Sequence, residues 1–352
     1  MWPAKPSLRA LIEPAETLLI AAAGGLAFTF LGFPAGLVSG SVLAVAIAAV
    51  LGRPVKMPVW LARACYVVVG ILLGAVVTPQ TLKGVTTWPA SVALLVVASF
   101  VMIIATTTYL RAVHGWDQLS ALMAASPGSL VQVIALATEL GANLRAIAVV
   151  QTTRIVLLTL GIPGGLALFG LVAPAVPIAR GPAGVSSLPE MLLVIAVSAG
   201  AGIALLRLRF PGGLLFGTMA GSAVLHGTGL AQAALPWWIG SAAVVILGAV
   251  VGSRFANTPA RLILSYLGAA FGSFAVSLAV ATLFALIAAH FFPFPIANVV
   301  VAFSPGAQDT MMVLALALHL DPVYVGAHHV ARFLVVTLTV AITARRLGKR
   351  AR

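Results

Sequence analysis

The chain has 352 residues, of which 61% are hydrophobic and only 8% charged. That leaves too little polar surface to cover a water-soluble globule, so soluble enzymes and soluble nucleic-acid-binding modules are excluded and lipid is the expected solvent. The formal charge of +13 comes from basic residues beside apolar segments, where cytoplasmic loops of membrane proteins carry them, and does not mark a nucleic-acid partner.

A bilayer core about 30 Å thick needs roughly 20 apolar residues per crossing helix, and long apolar runs without period-two alternation predict helices rather than a barrel. The first run, near residues 15–31, follows Lys5 and Arg9 and imitates a signal peptide. Glu13, Glu16 and the lack of a convincing cleavage site predict an uncleaved first span. Further segments lie near 35–51, 59–78, 88–110, 118–140 and 144–161, followed by a Pro/Gly-rich stretch to about residue 188. The single cysteine, Cys65, sits in an apolar stretch, which rules out a disulfide within the chain and a cysteine metal site. Six more segments follow near 189–206, 211–225, 238–253, 262–289, 296–319 and 322–343.

The second six repeat the first. Ser126-Pro127-Gly128 and Arg154 recur 178 residues later as Ser304-Pro305-Gly306 and Arg332. Phe33-Pro34-Ala35-Gly36-Leu37 matches Phe210-Pro211-Gly212-Gly213-Leu214 at an offset of 177, and Leu73-Gly74-Ala75-Val76-Val77 matches Leu247-Gly248-Ala249-Val250-Val251 at 174. Glycines four apart (Gly36/Gly40, Gly70/Gly74, Gly213/Gly217, Gly248/Gly252) are read as close helix packing.

If all six segments of each half cross the membrane from an inside N-terminus, Lys83, Arg145, Arg207, Arg209, Arg254 and Arg261 fall outside, a poor division. If the Ser-Pro-Gly segment enters and returns on one side, Lys83 and Arg180 alone stay outside, with Arg154 and Arg332 within the membrane. An odd number of crossings turns the second half upside down. The expected fold is therefore an all-α polytopic membrane protein of two inverted repeats, about five crossings each plus a broken or re-entrant Ser-Pro-Gly helix per repeat. Repeat 1 spans 1–188 and repeat 2 spans 189–352, within one integrated transmembrane domain and with both termini cytoplasmic.

Serine is a favoured N-cap and proline a favoured first helical residue, so Ser126-Pro127 and Ser304-Pro305 are expected to start new helices inside apolar sequence. Such a break is tolerated only where protein buries it or a wet cavity meets it, and a helix N-terminus suits an anion. Polar residues inside a membrane segment are functional candidates. Around the breaks these are Ser126, Gly128, Gln132 and Arg154, and Ser304, Gly306, Gln308 and Arg332, which form the expected substrate site. The arginines are expected to serve either an anionic substrate or carboxylates, Arg332 with Asp309 and Arg154 with Glu139. Asp309 leads the candidates for proton or cation coupling, with His329 and Glu139 beside it. His328 and His329 point about 100° apart on a helix and cannot form a tight metal pair, so no metal is expected.

The duplicated Ser-Pro-Gly segments, Ser126 to Leu160 and Ser304 to Leu338, together with Phe33-Pro34 and Phe210-Pro211, resemble the AbrB-type duplicated bacterial membrane protein family over nearly the whole chain. Its members carry labels of ammonia monooxygenase or of regulator. The resemblance implies a fold-level relation to inverted-repeat carriers of the cation/proton antiporter and anion transporter kind, and a place in the bacterial inner membrane. Ammonia oxidation would need a copper site with several His or carboxylate ligands, and the sequence offers no such cluster. The leading reading is a secondary transporter or exporter of a small anionic or zwitterionic solute, coupled to H⁺ or Na⁺, with no catalytic residue and no cofactor. Its partners would be the solute, the coupling ion, the lipid bilayer and, as an open case, a second copy of the chain. A membrane sensor that binds a ligand in the same cavity is the alternative, and a monooxygenase the third.

Overall fold

A computed structural model describes residues 8–78, 85–127, 130–173, 187–210, 212–256, 258–306 and 308–350. Among these the chain is helical and strand-free. The first seven helices are α1 (Leu8–Phe30), α2 (Gly36–Val50), α3 (Val59–Gly74), α4 (Pro89–His114), α5 (Gln118–Ala125), α6 (Leu130–Leu140) and α7 (Leu144–Leu168). The next seven are α8 (Leu188–Arg207), α9 (Gly213–Thr228), α10 (Trp237–Gly252), α11 (Ala260–Phe291), α12 (Ile296–Phe303), α13 (Gln308–Ala317) and α14 (Pro322–Arg350). Six, namely α4, α7, α8, α10 with its following 3-10 turn, α11 and α14, are long and apolar enough to cross a membrane. The expected break in each Ser-Pro-Gly segment is present, since α5 and α6 have 8 and 11 residues and α12 and α13 have 8 and 10. At 1.5 Å per residue, each such piece covers roughly half of a hydrocarbon core.

The two sets of seven helices follow the same order. Helices α3 and α10, and α5 and α12, have the same length and start 178 residues apart. Even the caps correspond. Asn143, before α7, accepts the Ala146 N–H, and Asp321, before α14, accepts the N–H groups of Val323 and Tyr324 in its first turn.

The chain folds into two compact units, and each draws on both sequence halves: residues 1–79 with 173–260, and residues 80–172 with 261–352. Neither half, 1–188 or 189–352, is thus a compact body by itself.

The first unit holds α1 to α3 and α8 to α10. Its packing occurs in matched pairs: α1 on α2 and α8 on α9, α2 on α10 and α9 on α3. The glycines four apart make these approaches, as small residues do between apolar helices. A Cβ on Gly74 would fall 2.5 Å from the Met219 carbonyl oxygen, and one on Gly252 would fall 2.8 Å from that of Val42. Gly70 meets Leu215 and Gly74 meets Met219; correspondingly, Gly248 meets Val38 and Gly252 meets Val42. These contacts correct one sequence match. Gly74 corresponds to Gly252, an offset of 178, so the Leu-Gly-Ala-Val-Val identity at 174 is displaced by about one helical turn. Glycines four apart make such a slip easy, because a shift of four keeps one glycine matched and preserves the helix face.

The same contacts fix helix directions within this unit. Helices α3 and α9 run parallel, as do α2 and α10, because the contacting residue numbers rise together. In the α1/α2 pair, Gly24 meets Gly40 and Phe28 meets Gly36, an antiparallel hairpin. Helices α3 and α10 meet at equivalent residues, the Cys65 thiol donating to the Ala243 carbonyl at 3.1 Å. Leu72, later in α3, packs on Gly240, earlier in α10, so these two helices are antiparallel. At the start of α1, Glu16 pairs with Arg53 at 3.3 Å and Glu13 with Lys56 at 4.0 Å, tying the first helix to the segment between α2 and α3.

The second unit holds α4 to α7 and α11 to α14. The long helix α7 packs on α12 and α13 of the other copy, while α14 packs on α5 and α6. Its core joins Leu110, Met123, Ala137, Ile147, Val150 and Val336, among others.

Candidate functional site

The site lies in the second unit, where two helices stop inside apolar sequence. Ser126 and Ser304 close α5 and α12 in extended conformation, with ψ of 120° and 140°. The residue before a proline is driven out of the helical region, so Ser-Pro ends a helix here. This corrects the expectation that the motif starts one: α6 and α13 begin later, at Leu130 and Gln308. The Ser304 hydroxyl turns back to the Val301 carbonyl at 2.7 Å rather than forward to cap a new helix. Gly128 lies outside the described residues.

A helix that stops in an apolar interior leaves carbonyls without partners and carries partial negative charge at that end. In both copies a long neighbouring helix supplies the donors. From α7, the Gln151 amide donates to the Met123 carbonyl at 2.8 Å, and the Arg154 guanidinium donates to the carbonyls of Ser126 at 3.3 Å and Ala125 at 3.5 Å. From α14, His329 Nε2 faces the Val301 carbonyl at 3.2 Å, and Arg332 donates to the carbonyls of Ser304 at 2.7 Å and Gly306 at 3.4 Å. Gln151 and His329, like Arg154 and Arg332, are equivalent positions at the 178-residue offset. Both arginines are buried, at 6% and 2% exposure, and they act on each other electrostatically. Their donors therefore reach the carbonyls at the ends of the half-helices.

The copies differ at one point of chemistry. His329 Nδ1 lies 2.7 Å from Arg332 Nη2, a contact that Gln151 does not reproduce with Arg154. Gln308 Nε2 donates to the His329 carbonyl at 3.2 Å, and the Asp309 carboxylate accepts the Thr310 N–H at 2.9 Å in the first turn of α13. His328 turns to the other side, as the rotation between adjacent helical residues requires. Its Nε2 meets the Ser91 hydroxyl of α4 at 2.8 Å, and its ring lies tilted against Tyr324 with centroids 4.0 Å apart. Ser91 was invisible to sequence reasoning because nothing marks a lone serine in an apolar helix as the partner of a histidine 237 residues away.

Beside the first break, α5, α6 and α14 line an open cavity of about 300 Å³. Met123, Val133, Leu136 and Val340 give it apolar walls, and Ser126, Gln132, Glu139, Thr337 and Arg345 supply the polar groups. Among the described residues, Gln132 Oε1 is buried without a hydrogen-bond partner, as is Arg154 Nε. The structure thus gathers Ser126, Gln132 and Glu139 at the cavity, and Ser304, Gly306, Gln308, His329 and Arg332 at the second break. Thr337 and Arg345 were not expected, because their only signal is a position about two and about four and a half turns beyond His329 on one helix.

The long apolar helices, the shorter apolar helices beside them and the half-length pieces held by buried side chains define a polytopic helical membrane protein. The chain belongs to the AbrB family: the family model described as "Transition state regulatory protein AbrB" matches residues 37–348. It is 26% identical over 350 residues to "Uncharacterized protein YhjN" of Bacillus subtilis (strain 168), covering 93% of this chain and 91% of that protein. It is also 26% identical over 341 residues to "Putative regulator AbrB" of Escherichia coli (strain K12), covering 91% of this chain and 92% of that protein.

Proposed function

We propose that this chain is a secondary transporter that moves a small zwitterionic or anionic solute across the bacterial inner membrane by alternating access, driven by protons or sodium. The observation that carries the reading is the pair of broken helices, each held by donors from a long helix of its own copy and packed against the corresponding long helix of the other. Backbone that stops at membrane depth needs such partners, and paired discontinuous helices around one site are the recurring device of carriers. The helix directions in the first unit support inverted repeats: α3 and α10, equivalent to each other, run antiparallel. On that reading both termini lie on the cytoplasmic side, as the loop charges favour.

The solute site in this proposal is the cavity beside α5 and α6. Its apolar walls would take a hydrocarbon body, Gln132 Oε1 would accept a hydrogen bond, and Glu139 and Arg345 would meet an ammonium and a carboxylate. Arg154 and Arg332 hold the breaks closed, and Asp309, His329 and Glu139 are the groups proposed for coupling. No catalytic role is proposed for any residue.

The test is flux in vesicles of the purified protein with amino acids and small carboxylates on one side and an imposed pH or sodium gradient. Gradient-dependent accumulation is the expected result. A membrane sensor, the reading favoured by the regulator name of the E. coli relative, would bind solute without moving it. Copper in stoichiometric amount in the purified protein would favour an oxygenase instead.

A further inference from the structure

The geometry points to His329 Nδ1 as a proton-binding site whose occupation releases the second helix break. The inference rests on the transport reading only for its use in coupling; the proton-dependent opening is a property of the protein itself.

The argument is one of hydrogen-bond roles. A guanidinium has donors and no acceptor, so the His329 Nδ1 that faces Arg332 Nη2 at 2.7 Å must present its lone pair. The ring proton then sits on Nε2, which donates to the Val301 carbonyl at 3.2 Å. Every side-chain group at this end of α12 has a fixed role. A proton arriving at Nδ1 takes the lone pair that Arg332 uses and sets two cations side by side in a dry interior, where their repulsion is large. The imidazolium and the present Arg332 position are mutually exclusive. When Arg332 moves, the carbonyls of Ser304 and Gly306 lose its donors, and the end of α12 must find other partners, such as water. Proton entry and exposure of the break are therefore one event.

The charged and titratable groups on the elements packed against His329 are these. On its own helix, Arg332 lies 2.7 Å from its Nδ1, and His328 turns away to Ser91. Helix α12 carries no titratable residue between Ile296 and Phe303. Helix α13 brings Asp309, whose carboxylate accepts the Thr310 N–H, and Gln308, which bonds the His329 carbonyl. Helix α7 brings Arg154, which acts on Arg332. Helix α4 approaches through Ser91, which engages His328, and its titratable residues Tyr109, Arg111 and His114 lie in its last two turns. Helix α5 has none, and Glu139 of α6 lines the cavity at the other break. The first copy supplies the built-in comparison. Gln151 holds the Met123 carbonyl by an amide that takes up no proton in this pH range, so only the second break answers to protons.

The test is hydrogen–deuterium exchange of the full chain in lipid nanodiscs, from about pH 8 to about pH 4, through and below the range of an ordinary imidazole. Labelling times are scaled to equal intrinsic exchange. In the native protein, amides between 301 and 311 should exchange faster on the acid side by about tenfold or more, as loss of charge-assisted bonds requires. His329→Gln, which copies Gln151, should keep them protected throughout. Gln151→His should create a matching acid opening at residues 123–133, and it serves as the second arm should His329→Gln fail to fold. A pH-independent second break in the native protein would overturn the proposal, as would an unchanged acid opening in His329→Gln or its absence in Gln151→His. Vesicles that move no solute while the break still opens with acid would remove the transporter and leave the proton site standing.

Discussion

Gln151 and His329 occupy the same place in the two copies and do the same work: each brings a side-chain nitrogen to the backbone carbonyl of an equivalent residue, Met123 at 2.8 Å and Val301 at 3.2 Å. One turn later Arg154 and Arg332 take the carbonyl of the serine that ends the half-helix. The duplicated motif is thus a duplicated way of ending a helix inside a membrane, and the chemistry that distinguishes the copies lies in the change from amide to imidazole.

Removing either guanidinium should destabilise the fold by leaving buried carbonyls without donors, at about 1–3 kcal/mol for each group left unsatisfied. Arg332→Met should lower the apparent melting temperature in detergent more than Arg154→Met, because its shortest bond is 2.7 Å against 3.3 Å. Equal melting temperatures for both variants and the native protein would show that these contacts do not hold the breaks.

Close packing in the first unit predicts a matched pair of lesions. Gly74→Val and Gly252→Val should both reduce the yield of folded protein, since even a Cβ meets backbone at 2.5 and 2.8 Å. Gly161→Ala, with open space at its Cβ position, should be neutral or stabilising by up to about 1 kcal/mol. Thermal unfolding followed by size-exclusion chromatography reads all three.

On the proposed inverted-repeat reading, the starts of α3 and α10 lie at opposite faces of the membrane. Trp60 and Trp238, both exposed and 178 residues apart, mark those starts and suit the two interfaces. In a Cys65→Ser background, Trp60→Cys and Trp238→Cys should react with a membrane-impermeant maleimide from opposite sides of oriented vesicles. Labelling of both from one side would defeat the inversion.

At the cavity, Glu139→Gln and Arg345→Gln should each weaken the ligand-induced rise in melting temperature given by a zwitterionic solute while leaving the ligand-free value unchanged, since both side chains are exposed. A simple carboxylate should feel only the Arg345 change. Retained stabilisation by the zwitterion in both variants would move the solute site elsewhere.

Asp309→Asn keeps an oxygen acceptor for the Thr310 N–H, so the start of α13 should form as before. Ion-driven accumulation in vesicles should nonetheless be lost if the carboxylate couples transport, and undiminished accumulation would take Asp309 out of the coupling role.

The sequence by itself determined the membrane class, the duplication and the position of both breaks. Composition, the 178-residue spacing and the Ser-Pro pair are local or periodic quantities, and lipid leaves a polar backbone few alternatives. It also carried the candidates Gln132, Glu139, His329 and the two arginines, because polar residues stand out where there are few. Tertiary structure alone decided what those residues touch. A serine before a proline can begin or end a helix with similar local preference, and the carbonyl at the end of α5 or α12 selected the second. An arginine donates to whatever acceptor its helix brings near, and here a backbone carbonyl 28 residues back in the chain is such an acceptor. The interleaving of the two halves into each compact unit was likewise beyond sequence, since it depends on which apolar faces meet, and apolar faces of similar composition carry no address until small residues let particular backbones approach.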